Sequence, residues 1–169
     1  MRKYLLIYII IFAVLISCNK KEEKYISLVN APSTKEPIAD YEKIFKPEEK
    51  AILIKKIERI EKLYGIKIRI LTLPSFFYFE PVGSTGYGKR ENAIFGLNSQ
   101  DKFILFEFSE KEKRFAWATN DHLRKIMNDK KIEYISSTIS NKYFDSKKYY
   151  IAFKQILEAI EKELQGNMV

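Results

Sequence analysis

The residues best suited to chemistry stand on either side of a predicted β-hairpin. His122, the only histidine of the chain, follows Asn120 and Asp121, and Asp101 stands just before the first hairpin strand. A histidine beside carboxylates can serve as an acid or a base, and neighbouring carboxylates attract a cation. The sequence therefore raises the hypothesis of a small polar site at one edge of a sheet.

The elements that must position these residues are two strands, predicted at 102–109 (KFILFEFS) and 114–119 (RFAWAT). If Phe108 faces Arg114 across the turn, Asp101 faces Asp121, and opposed residues of an antiparallel pair lie about 5 Å apart at Cβ. The alternative is that Asn120 and Asp121 only cap a short helix that runs through Asp129. Both interpretations remain open at this point.

A glycine-rich stretch, GSTGYGK at 83–89, matches most of the phosphate-binding loop pattern G-x-x-x-x-G-K-[ST]. Arg90 takes the place of the hydroxyl residue that would bind magnesium, and residues 90–96 are too short for the helix that must follow. The sequence therefore predicts no nucleotide binding here, and a connecting loop instead.

The N-terminus has the features of an export signal. Arg2 and Lys3 precede an apolar run of 13 residues, Tyr4–Ile16, and the run ends in the sequence LISC at Cys18. This order predicts a lipoprotein signal peptide over residues 1–17 and a diacylglyceryl group on Cys18, with a buried free thiol as the alternative. We expect a lipid-anchored protein of the cell envelope, at the outer membrane, either periplasmic or surface-exposed.

The remainder of the chain divides into a polar, flexible tether at 18–36 and a single domain at 37–166. Removing Arg2 and Lys3 from the 30 basic residues leaves 28 against 22 acidic ones, a formal charge of +6. The lysines are spread along the sequence, which favours a solvated surface, and an exported protein is not expected to bind nucleic acid.

The periodicity of the domain predicts an α/β fold with a small mixed β-sheet sandwiched between helices. A helix at 46–64 begins with Pro47 and is capped by Gly65, and a strand follows at 66–73. Residues 76–79 read as a short strand or a packed loop. Besides the short helix through Asp129, helices are expected at 131–141 and after Ser146, which is the predicted cap of the last one.

The order of these elements and several short motifs resemble the TPM domain family. The matching stretches are PIADYEKIFKPEE at 37–49, YGIKIRILTL at 64–73, FGLN at 95–98, LRKIMND at 123–129 and FDSKKYY at 144–150. The resemblance covers residues 37–164 and implies the same αβα sandwich. The family includes a thylakoid lumen acid phosphatase and photosystem repair factors.

The resemblance also implies what the acidic residues do, because family members that bind calcium or hydrolyse phosphate esters do so near such acids. Arg124 replaces a glutamate of the family pattern and Lys148 an aspartate, and each exchange adds a positive charge. We therefore expect calcium binding to be weak or absent. The candidate metal or active cluster comprises Asp40, Asp101, Asn120, Asp121, His122 and Asp129.

Two functions follow as hypotheses. The first is a non-enzymatic envelope lipoprotein whose domain binds a protein partner or assists a membrane complex. The second is a metal-dependent acid phosphatase. Arg124 and Lys148 favour the first, and the retained acids favour the second.

Overall fold

A computed structural model describes residues 34–75 and 94–166 of the chain. The elements in chain order are β1 (Ile38–Asp40), α1 (Pro47–Tyr64), β2 (Ile66–Thr72), β3 (Lys102–Ser109), β4 (Arg114–Thr119), α2 (Asp121–Arg124), α3 (Asp129–Tyr143) and α4 (Tyr149–Gly166). The strands form one sheet in the order β1-β2-β3-β4. The first three are parallel and β4 is antiparallel to β3, so the predicted α/β class with a small mixed sheet is confirmed.

Helix α1 begins one residue after its predicted start and ends at the predicted residue, Tyr64. Pro47 occupies the first turn, and the Glu49 carboxylate accepts the backbone N–H of Lys46 at 3.0 Å, which satisfies a donor at the helix start. Gly65 ends the helix in a left-handed conformation (φ 65°), and its N–H donates to the carbonyl of Glu61 at 2.8 Å. Strand β2 begins at the next residue.

One face of the sheet packs against the long helices α1, α3 and α4. Alternate residues of β2 and β3 point to this side, where they meet the apolar stripes of the helices. The centre of this core is formed by Ile68, Ile70, Ile104, Phe106, Leu53, Ile57, Phe153 and Ile156, all fully buried. Glu161 of α4 is also buried, and it pairs with Lys56 and Arg59 of α1 at 3.1 Å each, which ties the two helices together.

The opposite face of the sheet carries a second, smaller core. Leu71 and Leu105 are fully buried there, and they are covered by Ile94, Phe95 and Leu97. Burial on both sides explains why β3 is apolar at nearly every position, as its sequence indicated.

The hairpin forms at the predicted strands, but the predicted register is wrong by one residue. Phe108 lies opposite Phe115, and Ser109 lies opposite Arg114. The turn is therefore one residue tighter than expected. Lys113 takes a left-handed backbone conformation (φ 49°), and its N–H donates to the carbonyl of Glu110 at 3.2 Å, which closes the turn.

Three boundaries in the C-terminal half also differ from the predictions. The short helix α2 ends at Arg124, so Asp129 begins the next helix rather than ending this one. Asn128 caps α3 by accepting the N–H of Lys131 at 2.9 Å. Ser146 does not cap α4, because its hydroxyl donates to the carbonyl of Tyr143 at 3.0 Å, at the end of α3.

Several predictions lie outside the described residues. These are the signal peptide, lipidated Cys18, most of the tether, the possible strand at 76–79 and the glycine-rich stretch at 83–89. None of the helices in residues 34–75 and 94–166 has both the length and the apolar character needed to cross a bilayer.

Candidate functional site

The six residues of the predicted cluster do not lie at one edge of the sheet. Asp40 ends β1 opposite Thr72, the last residue of β2. Asp101 precedes Lys102, which lies opposite Ile66, the first residue of β2. The six-residue step from Ile66 to Thr72 spans about 20 Å at strand rise. The prediction that Asp40 approaches the other acids is therefore wrong, and the candidate residues divide between two separate edges.

At the edge where the parallel strands begin, Asp101 is held by a cation and a backbone donor. Its carboxylate lies 2.7 Å from Lys67 Nζ and accepts the N–H of Asn98 at 2.9 Å. Burial works against ionisation, but the hydrogen bond and charge of Lys67 outweigh it, so the pKa of Asp101 lies below its ordinary value. This carboxylate is ionised and paired at neutral pH.

Asn120 joins Asp101 to the start of helix α2. Its side-chain oxygen accepts the N–H of Leu123 at 3.3 Å, and its side-chain nitrogen donates to the carbonyls of Asp101 at 2.5 Å and Ser99 at 3.2 Å. The capping interpretation of Asn120 is therefore confirmed. The side-chain amide therefore joins the residue after β4 to the residues just before β3.

Asp121 and Asp129 come together only through Arg124. The guanidinium donates to Asp121 at 2.7 Å through Nη1, and to both oxygens of Asp129 at 3.0 and 2.9 Å through Nε. The hydrogen bonds to Asp121 and then to Asp129 raise the pKa of Arg124 above its already high value. His122 stands on the same short helix, half-buried, and it makes no hydrogen bond with any of the described residues.

These carboxylates do not fit a calcium ion as they stand. Calcium needs six to eight oxygens that converge on one point, and the carboxylates of this edge are already paired with Lys67 or Arg124. Within 34–75 and 94–166, no three histidine, cysteine, aspartate or glutamate side chains are grouped so as to hold a metal ion. Arg124 stands where the family pattern has a glutamate, and its guanidinium lies between the two acids.

At the opposite edge, where the parallel strands end, Asp40 organises the backbone. One oxygen accepts the N–H of Ile44 at 3.1 Å and the hydroxyl of Thr72 at 2.6 Å, and the other accepts the N–H of Phe45 at 3.1 Å. The Thr72 hydroxyl in turn accepts the N–H of Glu42 at 3.1 Å. Asp40 therefore fixes the connection from β1 to α1.

Two glutamates beside Asp40 have pKa values shifted in opposite directions. Glu42 accepts the N–H of Glu110 at 2.9 Å, and burial first, with the charges of Glu110 and Asp40 adding to it, raises its pKa. Glu110 lies 2.7 Å from Lys147 Nζ, and that hydrogen bond lowers its pKa. Burial, followed by the charge of Glu110, raises the pKa of Tyr149 to about 12.

A groove of about 600 Å³ leads from this edge along the sheet, between β4 and α3. One side of the groove is aromatic and is formed by Phe108, Phe115 and Trp117. The other side carries the hydroxyl groups of Ser136, Ser137 and Ser140. Rings that line the groove also contact one another, with Phe115 edge-to-face on Phe144 at a centroid distance of 5.3 Å. A volume of this size is typical of ligand-binding clefts.

Sequence reasoning missed the groove, the pair of glutamates and strand β1. A signal for the groove was present, because Ser136 and Ser140 are one helical turn apart and Phe115 and Trp117 are two positions apart on a strand. Nothing in the sequence indicated that the serine face of α3 would stand opposite those two rings.

A family model and two solved structures are similar to this chain. The TPM domain model matches residues 38–163. No protein with a curated description matches the chain. A solution NMR structure of the N-terminal domain of a protein from P. gingivalis is similar with a TM-score of 0.69 at 14% identity, covering 85% of this chain and 94% of that one. The N-terminal domain of the cg2496 protein from Corynebacterium glutamicum gives 0.57 at 11% identity, covering 83% and 87%.

Proposed function

The chain belongs to the TPM domain family, and we propose that it is a lipid-anchored cell-envelope protein whose TPM domain binds a protein partner and carries out no catalysis. The domain would act beside the membrane, as an accessory component of an envelope complex. The anchor is the diacylglyceryl group proposed on Cys18.

The observation that carries the non-enzymatic role is the position of Arg124. Its guanidinium contacts Asp121 and both oxygens of Asp129. A group that is always charged therefore already neutralises part of the negative charge that would attract a cation to these acids. Lys67 has the same relation to Asp101 at 2.7 Å. The edge therefore offers paired charges in place of open ligands.

Anchoring is supported by the sequence before the domain. The apolar run up to Ile16 and the LISC sequence at Cys18 stand at the N-terminus. Detergent-phase partitioning of the wild type and Cys18→Ser tests this part. The wild type should enter the detergent phase and the variant should stay in the aqueous phase; equal partitioning of both would contradict the lipid anchor.

A metal-dependent phosphatase is the second candidate, and one observation favours it. Glu42 and Glu110 are in contact, because the N–H of Glu110 donates to the Glu42 carboxylate. The pKa of Glu42 is raised and that of Glu110 is lowered. Two neighbouring carboxyl groups that differ in this way can serve as acid and base. The competing observation is that Glu110 is already paired with Lys147.

A calcium titration with a phosphatase assay separates the two candidates. With the full lipidated chain in detergent, we expect weak or absent calcium heats and no hydrolysis of p-nitrophenyl phosphate above a protein-free control. Phosphate release that is abolished by Glu42→Gln would establish the enzyme instead, and sub-micromolar calcium affinity that is lost in Asp101→Asn would show that a metal site exists.

The role of Arg124 has its own matched pair of variants. Arg124→Gln should strengthen calcium binding, because it frees Asp121 and Asp129. Lys125→Gln removes the same charge from the adjacent exposed position and should leave calcium binding unchanged. Equal responses of both variants would show that only net charge matters, and the argument from Arg124 would fail.

A further inference from the structure

Strand β4 is the last strand of the sheet among the described residues, and the groove lies beside it. It pairs with β3 through residues 114–119, and none of the described residues pairs with its other side. An unpaired strand edge presents a row of backbone N–H and C=O groups that can template another strand.

The register shows which backbone groups point outward. The N–H of Leu73 donates to the carbonyl of Phe108 at 2.8 Å, so the backbone groups of Phe108 point to β2 and away from β4. In an antiparallel pair of strands, the backbone N–H and C=O groups of two opposed residues point either toward the other strand or away from it. These two kinds of pair alternate along the strands. Phe115 lies opposite Phe108, so its N–H and C=O point away from β3. The same holds for Trp117 and Thr119, which follow at two-residue steps.

Two of these residues also provide side chains to the groove. Phe115 and Trp117 form its aromatic side, and Ser137 and Ser140 of α3 form the facing wall. Both rings are half-buried, so they retain surface that an added residue could cover. The groove therefore combines backbone hydrogen-bonding groups along one border with apolar surface beside them.

We propose that the groove between β4 and α3 takes an extended peptide segment of the partner protein, which adds to β4 as a fifth strand. A polypeptide is the ligand class that presents N–H and C=O groups at strand spacing, and strand addition beside a helix is an established mode of peptide recognition. Alternate side chains of the peptide would be apolar and pack on Phe115 and Trp117. The inference rests on the proposed binding function and gives that function a surface and a partner chemistry.

Backbone-modified peptides test the strand pairing. A random dodecapeptide phage library is selected against the full chain in detergent, and the best binder is synthesised with N-methyl groups on alternate residues. Methylation of one alternate set should weaken binding at least tenfold, because those N–H groups face β4, and methylation of the other set should not. Equal effects of the two sets, or no peptide above background, would overturn the proposal.

Substitutions on α3 test the location. Ser137→Phe fills the groove and should lower the affinity for the selected peptide at least tenfold. The melting temperature of the protein should not change. Thr138→Phe places the same ring on the exposed adjacent position and should leave the affinity unchanged. An affinity unaffected by Ser137→Phe would place the peptide elsewhere and reject the groove.

Amide hydrogen exchange tests whether the edge is available. The N–H groups of Phe115, Trp117 and Thr119 should exchange fast in the free chain and become protected by the peptide. Protection in the free chain would show that another segment of the same chain already holds the edge, which contradicts the proposal. If peptide binding at β4 is not found, the proposals of a lipid anchor and of no phosphatase activity still stand. Phosphatase turnover, in contrast, would reject the proposed function and would leave the result on peptide binding unchanged.

Discussion

Both edges of the sheet carry carboxylates, but Asp40 is held by different means from the acids at the opposite edge. Where the parallel strands begin, the carboxylates of Asp101, Asp121 and Asp129 pair with charged side chains. Where the strands end, Asp40 accepts two backbone N–H groups and one hydroxyl. Exposed charge pairs add little to stability and weaken in salt, whereas a carboxylate that satisfies backbone donors holds a chain connection in place. Aspartates at the two edges therefore differ in how much they contribute to the stability of the fold.

The largest expected effect is at Asp40. Asp40→Ala leaves three donors without an acceptor and should lower the free energy of unfolding by about 3 kcal/mol. Asp101→Ala loses one backbone donor and one lysine contact and should cost about 1 kcal/mol. Urea unfolding of both variants measures the difference. A larger loss for Asp101→Ala would reverse the comparison of the two edges.

The next effect is at Asn120, whose amide both caps α2 and bonds to the carbonyls of Asp101 and Ser99. Asn120→Ala should cost about 2 kcal/mol, and Asn128→Ala, which removes a cap alone, about 1 kcal/mol. Thermal unfolding of the two variants provides the check. If they lose the same amount, the bonds from Asn120 to the strand contribute nothing.

A smaller effect is expected at Arg124, because its side chain is 44% exposed and the Asp121 side chain 88% exposed. Arg124→Ala should lower the free energy of unfolding by about 0.5 kcal/mol at low salt. That loss should vanish in about 1 M NaCl, where the screening length falls to roughly 3 Å. The loss in Asp40→Ala should persist at the same salt concentration, and a loss that vanishes there too would make the two edges equivalent.

The smallest effect is on the pH dependence of stability. The pKa of Asp101 is lowered on folding, so its contribution is present above the unfolded value of 3.8 and is lost as pH falls through the folded pKa. The pKa of Glu42 is raised from 4.5, so its ionisation costs stability at neutral pH, and this cost is relieved on acidification. From pH 3 to pH 7, stability relative to wild type should therefore fall for Asp101→Asn and rise for Glu42→Gln. Urea unfolding at pH 3, 5 and 7 checks this, and equal signs would contradict the assigned causes.

The sequence was sufficient for elements with strong local signals. Proline, acidic residues and Gly65 mark both ends of α1, and the strands of the hairpin are long apolar runs, so these boundaries were predicted closely. Strand β1 has only three residues, too few for a recognisable period. The one-residue error in the hairpin register came from the left-handed conformation of Lys113, which its residue type does not indicate.

The candidate site could be predicted only in part. Asn120-Asp121 was recognised as a helix start, but Asn128-Asp129 is the same signal repeated, and overlooking it placed Asp129 at the wrong end of a helix. Arg124 was noticed as a departure from the family pattern. Its contact with both acids depends on the break between α2 and α3, which local sequence did not indicate. The place of Asp40 depends on the parallel pairing of β1 with β2, a long-range contact.

The pairing of β2 with β3 also determines when this domain can fold. The two strands are parallel, and residues 73–101 separate them, whereas β3 and β4 are joined by a tight turn. Local contacts form quickly, and distant pairing waits for the closure of a long loop. During synthesis, β1, α1 and β2 are completed before β3, the strand with which β2 pairs. The β3–β4 hairpin should therefore form first, and β2 should then pair with β3, so that the sheet grows from the hairpin towards β1.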